Sequence, residues 1–362
     1  SQFRAVALID RDGTLIEEKH YLSDPDQVVL LPRTIRAIQL LREQNIACVV
    51  CTNQSGVGRG MFSEEDVRKV HGRLHELLQK EGVDVDAIYY ATADPEDKSP
   101  ENRAALHMRK PQTGMAEQAV EELGLKDLPL FAVGDKLADI SFGINAHGHS
   151  ILVRTGYGRE AEKELAHASL TAPVAEDLYD AARIIINELI KAEYPKDKVL
   201  ARKLLSPNQA GELVDADKKQ GLQVVLANGC FDLLHGGHIS FLENSKAAGD
   251  KLVLAVNSNA SIARLKGEGR PILDEAARIQ MLAAIDAVDY LTLFHEDSAD
   301  ETLEEIHPTR HAKGTDYTSD KVPERQTAIR LGIETIIAGA PKENSTRDII
   351  EVVVERAGKG LL

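Results

Sequence analysis

Apolar residues come along this chain in short unbroken runs. Each run is followed by a stretch where they recur every three or four positions. The runs sit at Ala5–Ile9, Ala47–Cys51, Ile88–Tyr90, Leu130–Val133 and Ile151–Val153, and read as buried strands. The periodic stretches at Thr34–Gln44, Ser63–Lys80 and Thr113–Leu123 predict amphipathic helices. Strands alternating with helices imply a parallel sheet covered on both faces. A helical stretch, Thr171–Asp197, breaks at Tyr194-Pro195, and polar sequence follows to about Gly221. A second alternating series then begins. Its strands are expected at Val224–Ala227, Leu252–Val256, Tyr290–Leu293, His311–Lys313 and Thr335–Ile337. Its helices are expected at Ile239–Ala248, Glu275–Ala284, Asp300–Ile306 and Thr346–Ala357. The pattern predicts an α/β chain of two consecutive doubly wound parallel-sheet domains. They span residues 1–194 and 223–362, with a linker and entry helix at 195–222.

Bulk properties narrow the function. A length of 362 residues suits two cores better than one. The net charge of −15 argues against nucleic acid or an anionic membrane as partner, so any phosphate must be met by local donors. No apolar run approaches the roughly 20 residues that span a bilayer. The amino-terminal residues read as a strand, without a secretory signal pattern. With three cysteines, an odd number, this fits a reducing cytoplasm. Cys48 and Cys51 lie three apart in a strand-like run and point to opposite faces, so they read as core residues and not as a redox or metal pair.

Polar residues gather where the first-domain strands end. Asp10 ends the first strand and Asp12 follows in DRDGTL; Thr52 ends the second in TNQSGVGRG; Asp135 follows the fourth in GDKLADI; Lys110 stands in RKPQTGM. In an open parallel sheet those ends converge on the ligand. The set suits phosphoryl transfer. One carboxylate attacks phosphorus, a second two residues on handles the proton, carboxylate oxygens hold Mg²⁺, and a lysine and a hydroxyl hold phosphate oxygens. Taken alone, DRDGT could equally be an ordinary acidic turn.

At these residues the chain, from about Ala5 to Gly158, resembles the haloacid-dehalogenase superfamily of phosphatases, and within it the heptose-bisphosphate phosphatases. The resemblance implies Asp10 as nucleophile, Asp12 as general acid and base, and Thr52 and Lys110 on the phosphate. Mg²⁺ would be held by Asp10, Asp135 and the backbone carbonyl of Asp12. The loop Asn53–Gly60, including Gln54 and Arg59, and also Arg109 would contact the sugar or its remote phosphate. Histidinol-phosphate phosphatases share much of the pattern. Many family members carry a cysteine and histidine zinc loop before R-K-P; here the matching positions are Ala91, Ala93, Leu106 and Met108, so no zinc is expected. Asp139 is expected to support the Mg²⁺ site.

In the second domain, VVLANGCFDLLHGGHISFL reads as strand, turn and helix, with His235 and His238 near the helix start. That end favours anions, Gly236 and Gly237 allow close backbone approach, and two imidazoles can stabilise charge at an attacked phosphorus. A metal site or helix cap is the plainer reading of H-x-x-H. The whole string resembles the cytidylyltransferase-like nucleotidyltransferases. KGEGRPI, HAKGTDY and ENSTRDII resemble more narrowly the nucleotidyltransferase half of the bifunctional heptose kinase/adenylyltransferase. The resemblance implies His235 and His238 as transition-state stabilisers, and Gly229, Phe231, Asp232, Lys246, Lys266, Gly314, Ser345 and Thr346 around the nucleotide. Arg347 stands where a second threonine is common. The expected partners are sugar phosphates and a nucleoside triphosphate, ATP first, with its own Mg²⁺, and CTP or GTP as alternatives. A homodimer through this domain is a further expectation. His71 and His75, four apart on a mostly polar helix, read as a solvated face.

Overall fold

In the computed structural model, residues 2–340 and 345–361 are described. The chain divides into two compact units, Ser1–Ile186 and Asn187–Leu362.

The first unit has strands β1 (Ala5–Ile9), β2 (Ile46–Asn53), β3 (Ala87–Ala91), β4 (Leu130–Gly134), β5 (His149–Val153) and β6 (Val174–Ala175). All pair in parallel, in the order β3-β2-β1-β4-β5-β6. Strand order reverses between β1 and β4, which opens a crevice at their carboxyl ends. Ile9 pairs with Val50 on one side and Val133 on the other, so Asp10 enters that crevice level with the ends of β2 and β4. The strands are unbroken apolar runs because helices cover both faces. Cys48 and Cys51 are fully buried in β2, and burial pushes both thiols up to about 12.

The second unit has strands β7 (Leu204–Leu205), β8 (Val224–Gly229), β9 (Lys251–Asn257), β10 (Tyr290–Phe294), β11 (Arg310–Gly314) and β12 (Glu334–Ala338). They too are parallel, in the order β12-β11-β8-β9-β10-β7. Here the order reverses between β8 and β11. Residues 195–222, expected as linker and entry helix, are partly integral to this unit. β7 is its edge strand. The helix Pro207–Lys219, capped by Ser206, buries Ala210 and Val214 against Val224 and Leu226.

No described helix is long and apolar enough to cross a membrane.

Candidate active sites

The crevice of the first unit is a cleft of about 330 Å³. Asp10, Asp12, Thr52, Asn53, Gln54, Arg109, Lys110 and Asp139 all line it. The Lys110 ammonium donates to Asp10 Oδ1 at 2.7 Å and to Asp139 Oδ1 at 2.6 Å, with all three side chains nearly sealed from solvent. Asn53 fixes the Lys110 backbone in both directions. Its Oδ1 accepts the Lys110 N–H at 2.9 Å and its Nδ2 donates to the Lys110 carbonyl at 3.1 Å. Gln54 donates from Nε2 to Thr52 Oγ1 at 2.8 Å and to Asp12 Oδ2 at 3.0 Å. Asn53 and Gln54 therefore organise the site from within, in addition to facing the cleft. Arg59 stands outside the lining residues, paired with Asp94 at 3.3 Å and donating to the Tyr21 hydroxyl at 3.2 Å.

Asp135 is fully buried behind Asp10. The carboxylates of Asp10, Asp135 and Asp139 have ligand atoms within 4.8 Å of one another. Asp135 Oδ2 accepts the Tyr157 N–H at 2.8 Å, while its Oδ1 has no hydrogen-bond partner. Burial, then Asp139, pushes Asp10 well above the usual carboxylate range, against the pull of Lys110. Burial pushes Asp135 up to about 6, opposed by Lys136. Lys110 would be lowered by burial, but Asp10 and Asp139 outweigh that and hold it above its ordinary value. Three crowded acids, one with a buried oxygen left over, fit an oxygen-ligated divalent cation. Asp139 joins Asp10 and Asp135 in that cluster; the Asp12 carboxylate stands apart, held elsewhere. Gly13 has φ of 79°, and a Cβ there would lie 2.2 Å from Asp135 Oδ2, so only glycine fits beside the cluster.

The loop between β3 and Lys110 is held by Asn102. Its Oδ1 accepts the Asp94 N–H at 2.9 Å, and its Nδ2 donates to the carbonyls of Asp94 at 2.6 Å and Asp97 at 2.7 Å. Asn102→Ala is expected to cost roughly 1–2 kcal/mol, since the orphaned backbone groups are only partly solvated. Chemical denaturation would measure it, and faster amide exchange at Asp94 would localise it. Unchanged exchange there would mean that packing alone holds the loop.

His71 corrects the sequence reading. It is buried at 7% exposure, on the apolar stripe of the helix Glu64–Lys80 formed with Val67, Val70, Leu74 and Leu78. Its Nε2 lies 3.1 Å from Arg11 Nη1. His75, four residues on, is part-exposed and bonds Asp84 at 2.6 Å. The two imidazoles serve different neighbours.

In the second unit a cavity of about 640 Å³ opens where β8 and β11 diverge. His235, His238, Lys266, Gly314, Ser345, Thr346 and Arg347 line it, with Arg270 and Asp316. His235 is the cap residue of the helix Gly236–Ala247 and His238 lies in its first turn. Their rings stack with centroids 3.9 Å apart, and the Phe231 ring lies 5.2 Å from that of His238. Across the cavity, Ser345 caps the helix Thr346–Gly358 by accepting the Asp348 N–H. Two helix starts thus face one space, a favourable place for a polyanion. Of the ENSTRDII motif, Glu343 and Asn344 lie outside the described residues.

Three expected nucleotide contacts lie outside the cavity lining, and two of them, Phe231 and Asp232, are buried. Gly229 ends β8 against the Phe231 ring, and Phe231 is buried beneath His238. Asp232 is sealed behind the cavity. It pairs with Arg270 at 2.7 Å and accepts the N–H groups of Ile272 at 2.8 Å and Leu273 at 3.1 Å, anchoring the KGEGRPI loop. Lys246 does not line the cavity. It pairs with Asp289 at 2.5 Å and donates to the Asp250 carbonyl at 2.6 Å. Eight residues beyond His238, it lies about 12 Å further along the helix axis, at the opposite end of the sheet. Arg270 is the cation that sequence reading missed; its place in RPI, after a glycine-flanked loop, was the available signal.

Comparison with known proteins agrees with both halves. Residues 5–141 match the family model described as polynucleotide kinase 3 phosphatase, residues 107–181 that of HAD-like hydrolases, and residues 226–352 the cytidylyltransferase-like model. The bifunctional protein HldE of Pelobacter propionicus is 35% identical over 219 residues, 59% of this chain and 45% of that one. Its counterpart in Geobacter sulfurreducens is 42% identical over 147 residues, 41% of this chain and 30% of that one. The chain spans about half the length, or less, of the curated relatives it matches. The crystal structure of D,D-heptose 1,7-bisphosphate phosphatase from B. bronchiseptica, complexed with magnesium and phosphate, is 30% identical and covers 51% of this chain and 99% of its own, with a TM-score of 0.45. The chain carries an HAD-like phosphatase domain in its amino-terminal part and a cytidylyltransferase-like nucleotidyltransferase domain in its carboxy-terminal part.

Proposed function

We propose that the chain makes a nucleotide-activated heptose in two steps. It hydrolyses the 7-phosphate of D-glycero-D-manno-heptose 1,7-bisphosphate, then transfers AMP from ATP to heptose 1-phosphate with release of pyrophosphate. The observation that carries this reading is one chain with two phosphate-handling sites, each at the switch point of its own sheet. The heptose assignment draws on the motifs DRDGTL, TNQSGVGRG and RKPQTGM in one half and KGEGRPI and HAKGTDY in the other. The product of the first site is the substrate of the second.

In the first site Asp10 attacks phosphorus and forms an aspartyl-phosphate. Lys110, already bonded to Asp10, would hold an equatorial phosphate oxygen together with Thr52. Asp12 protonates the leaving alkoxide and then takes a proton from the attacking water. Asp10, Asp135 and Asp139 would hold Mg²⁺, which when bound neutralises charge on the nucleophile and the phosphate. Arg109, half-buried and lowered first by burial and then by the like charge of Arg59, would meet the remote phosphate. In the second site no enzyme nucleophile is needed. A sugar-phosphate oxygen attacks the α-phosphorus, His235 and His238 stabilise the charge that develops, and Lys266, Arg270, Ser345 and Thr346 hold the triphosphate.

The direct test is the purified chain with heptose 1,7-bisphosphate and ATP, read by mass spectrometry beside panels of other sugar bisphosphates and nucleotides. ADP-heptose, orthophosphate and pyrophosphate are expected. Turnover of a different sugar or of CTP would redirect the assignment.

Cation removal supplies another prediction. Chelation is expected to abolish phosphate release, and added Mg²⁺ to restore it. Ligation needs the ionised carboxylate, so protons compete. With Asp135 held near 6 and Asp10 raised as well, apparent Mg²⁺ affinity should weaken as pH falls through that value. Titration of the apo chain with Mg²⁺ at pH 5.5 and 7.5 would measure it; equal affinities would argue against Asp135 as a ligand.

A further inference from the structure

We infer that His71 is a positioning residue for the phosphatase reaction, holding the Arg11 guanidinium so that Arg11 fixes the carboxylate of Asp12. The inference rests on Asp12 acting as the general acid and base.

Arg11 lies between the two catalytic aspartates in sequence, yet its side chain is turned into the protein, at 1% exposure. It meets Asp12 edge-on. Nε donates to Oδ2 at 3.0 Å and Nη2 to Oδ1 at 3.1 Å. Two parallel bonds from a planar fork fix both the position and the plane of a carboxylate. Gln54 adds a third bond, to Oδ2 at 3.0 Å, from the β2 side. The remaining outward face of Asp12 lines the cleft, where a leaving oxygen or a water would stand.

The fork has one corner left, Nη1, and His71 occupies it at 3.1 Å. A guanidinium only donates, so the His71 Nε2 must be the acceptor and its proton must sit on Nδ1. His71 is therefore a neutral acceptor. Burial, then the charge of Arg11, pulls it down to about 3, so it keeps this role throughout the working pH range. A neutral partner suits the task. A carboxylate at the same corner would compete with Asp12 for the arginine, whereas an imidazole fills the corner without drawing the fork away. The ring is itself fixed. It sits on the buried stripe of a 17-residue helix with a full capping box at Ser63, and it meets the Tyr90 ring edge-on at 5.5 Å. A buried guanidinium N–H without a partner is costly, so loss of the acceptor should let the arginine tilt and carry Asp12 with it. The reaction is sensitive to such tilts: a displacement of about 1 Å can cost on the order of 10²-fold in rate.

The test compares His71→Phe, which keeps a ring but no acceptor, with His71→Gln, whose Oε1 can reach the Nε2 position. Phosphate release is followed with heptose 1,7-bisphosphate and with fructose 1,6-bisphosphate, an alkyl phosphate that does not depend on the heptose assignment. Asp12→Asn is the control, and circular dichroism with thermal melting checks folding. Should the phenylalanine not fold, His71→Met serves in its place. For His71→Phe we expect kcat to fall about 10–100-fold with KM within about twofold. His71→Gln should stay within about threefold of the parent, and nucleotidyl transfer should be unchanged in both. Parent-like turnover in His71→Phe, equal damage in the two variants, or a loss confined to KM would each overturn the inference. If Asp12→Asn keeps parent turnover, the acid–base reading itself fails and takes the inference with it. If Asp12→Asn is dead while His71→Phe is fully active, only the positioning role fails.

Discussion

Asp10→Asn is expected to reduce phosphate release by about 10⁴-fold or more, the scale on which loss of a covalent nucleophile is felt, and to leave nucleotidyl transfer within about twofold. The amide keeps the shape of the carboxylate but not its nucleophilic charge. Its effect on folding should be small, because Lys110 keeps Asp139 as a charged partner at 2.6 Å. The substitution even relieves a conflict. Asp10 is buried among Asp135 and Asp139, and burial together with their charge raises it well above the usual range. A neutral residue there removes that repulsion, so the metal-free variant should melt no lower than the parent, while its affinity for Mg²⁺ should fall. Independence of the second activity follows from architecture. Each unit has its own parallel sheet and its own apolar core, Val6, Leu8 and Val49 in one and Val224, Leu226 and Val253 in the other. Separate assays for orthophosphate and pyrophosphate on the same preparation decide it. Loss of both activities in a folded Asp10→Asn chain would show that the sites are not independent.

Much of this arrangement was legible in the sequence, for a physical reason. Parallel strands buried on both faces give continuous apolar runs, so β1, β2, β4, β8, β9 and β10 could be located within a few residues. The edge strands β6 and β7 are two residues long each and carry no periodic signal. The convergence of Asp10, Thr52, Lys110 and Asp135 could be read because strand ends in a parallel sheet share one side. What could not be read was which polar side chains turn inward. His71 looked solvated because its helix is mostly polar, yet Val67, Val70, Leu74 and Leu78 place it on the buried stripe. Asp232 was expected beside the nucleotide, but its carboxylate is sealed beneath the loop it anchors. Lys246 was expected at the nucleotide from the family resemblance; the rise of the helix carries it to Asp289 instead. In each case a neighbour distant in sequence decides the role of the side chain, and local pattern does not contain it.

His238→Ala is expected to cut nucleotidyl transfer by on the order of 10²–10³-fold, the usual cost of one donor to a developing charge, with phosphatase activity intact. The helix Gly236–Ala247 keeps its free amides after the substitution, and Ser345 and Thr346 still line the other side of the cavity. Ground-state binding of the triphosphate should therefore survive largely unchanged. What is lost is a group aimed at charge that builds on the attacked phosphorus only as the reaction proceeds, so the deficit belongs in kcat. His235 and His238 stack at 3.9 Å, and in the proposed mechanism they would serve one charge. His235→Ala should cost a similar factor, and the double variant less than the product of the two. Removing the His238 ring also uncovers Phe231, which packs 5.2 Å from it and is otherwise buried, so a small loss of thermal stability should accompany the kinetic one. Steady-state kinetics with heptose 1-phosphate and ATP separate the terms. A raised Michaelis constant for ATP with unchanged turnover would make His238 a ground-state phosphate ligand, and the stabilisation of the transition state would then have to come from His235 and the helix amides alone.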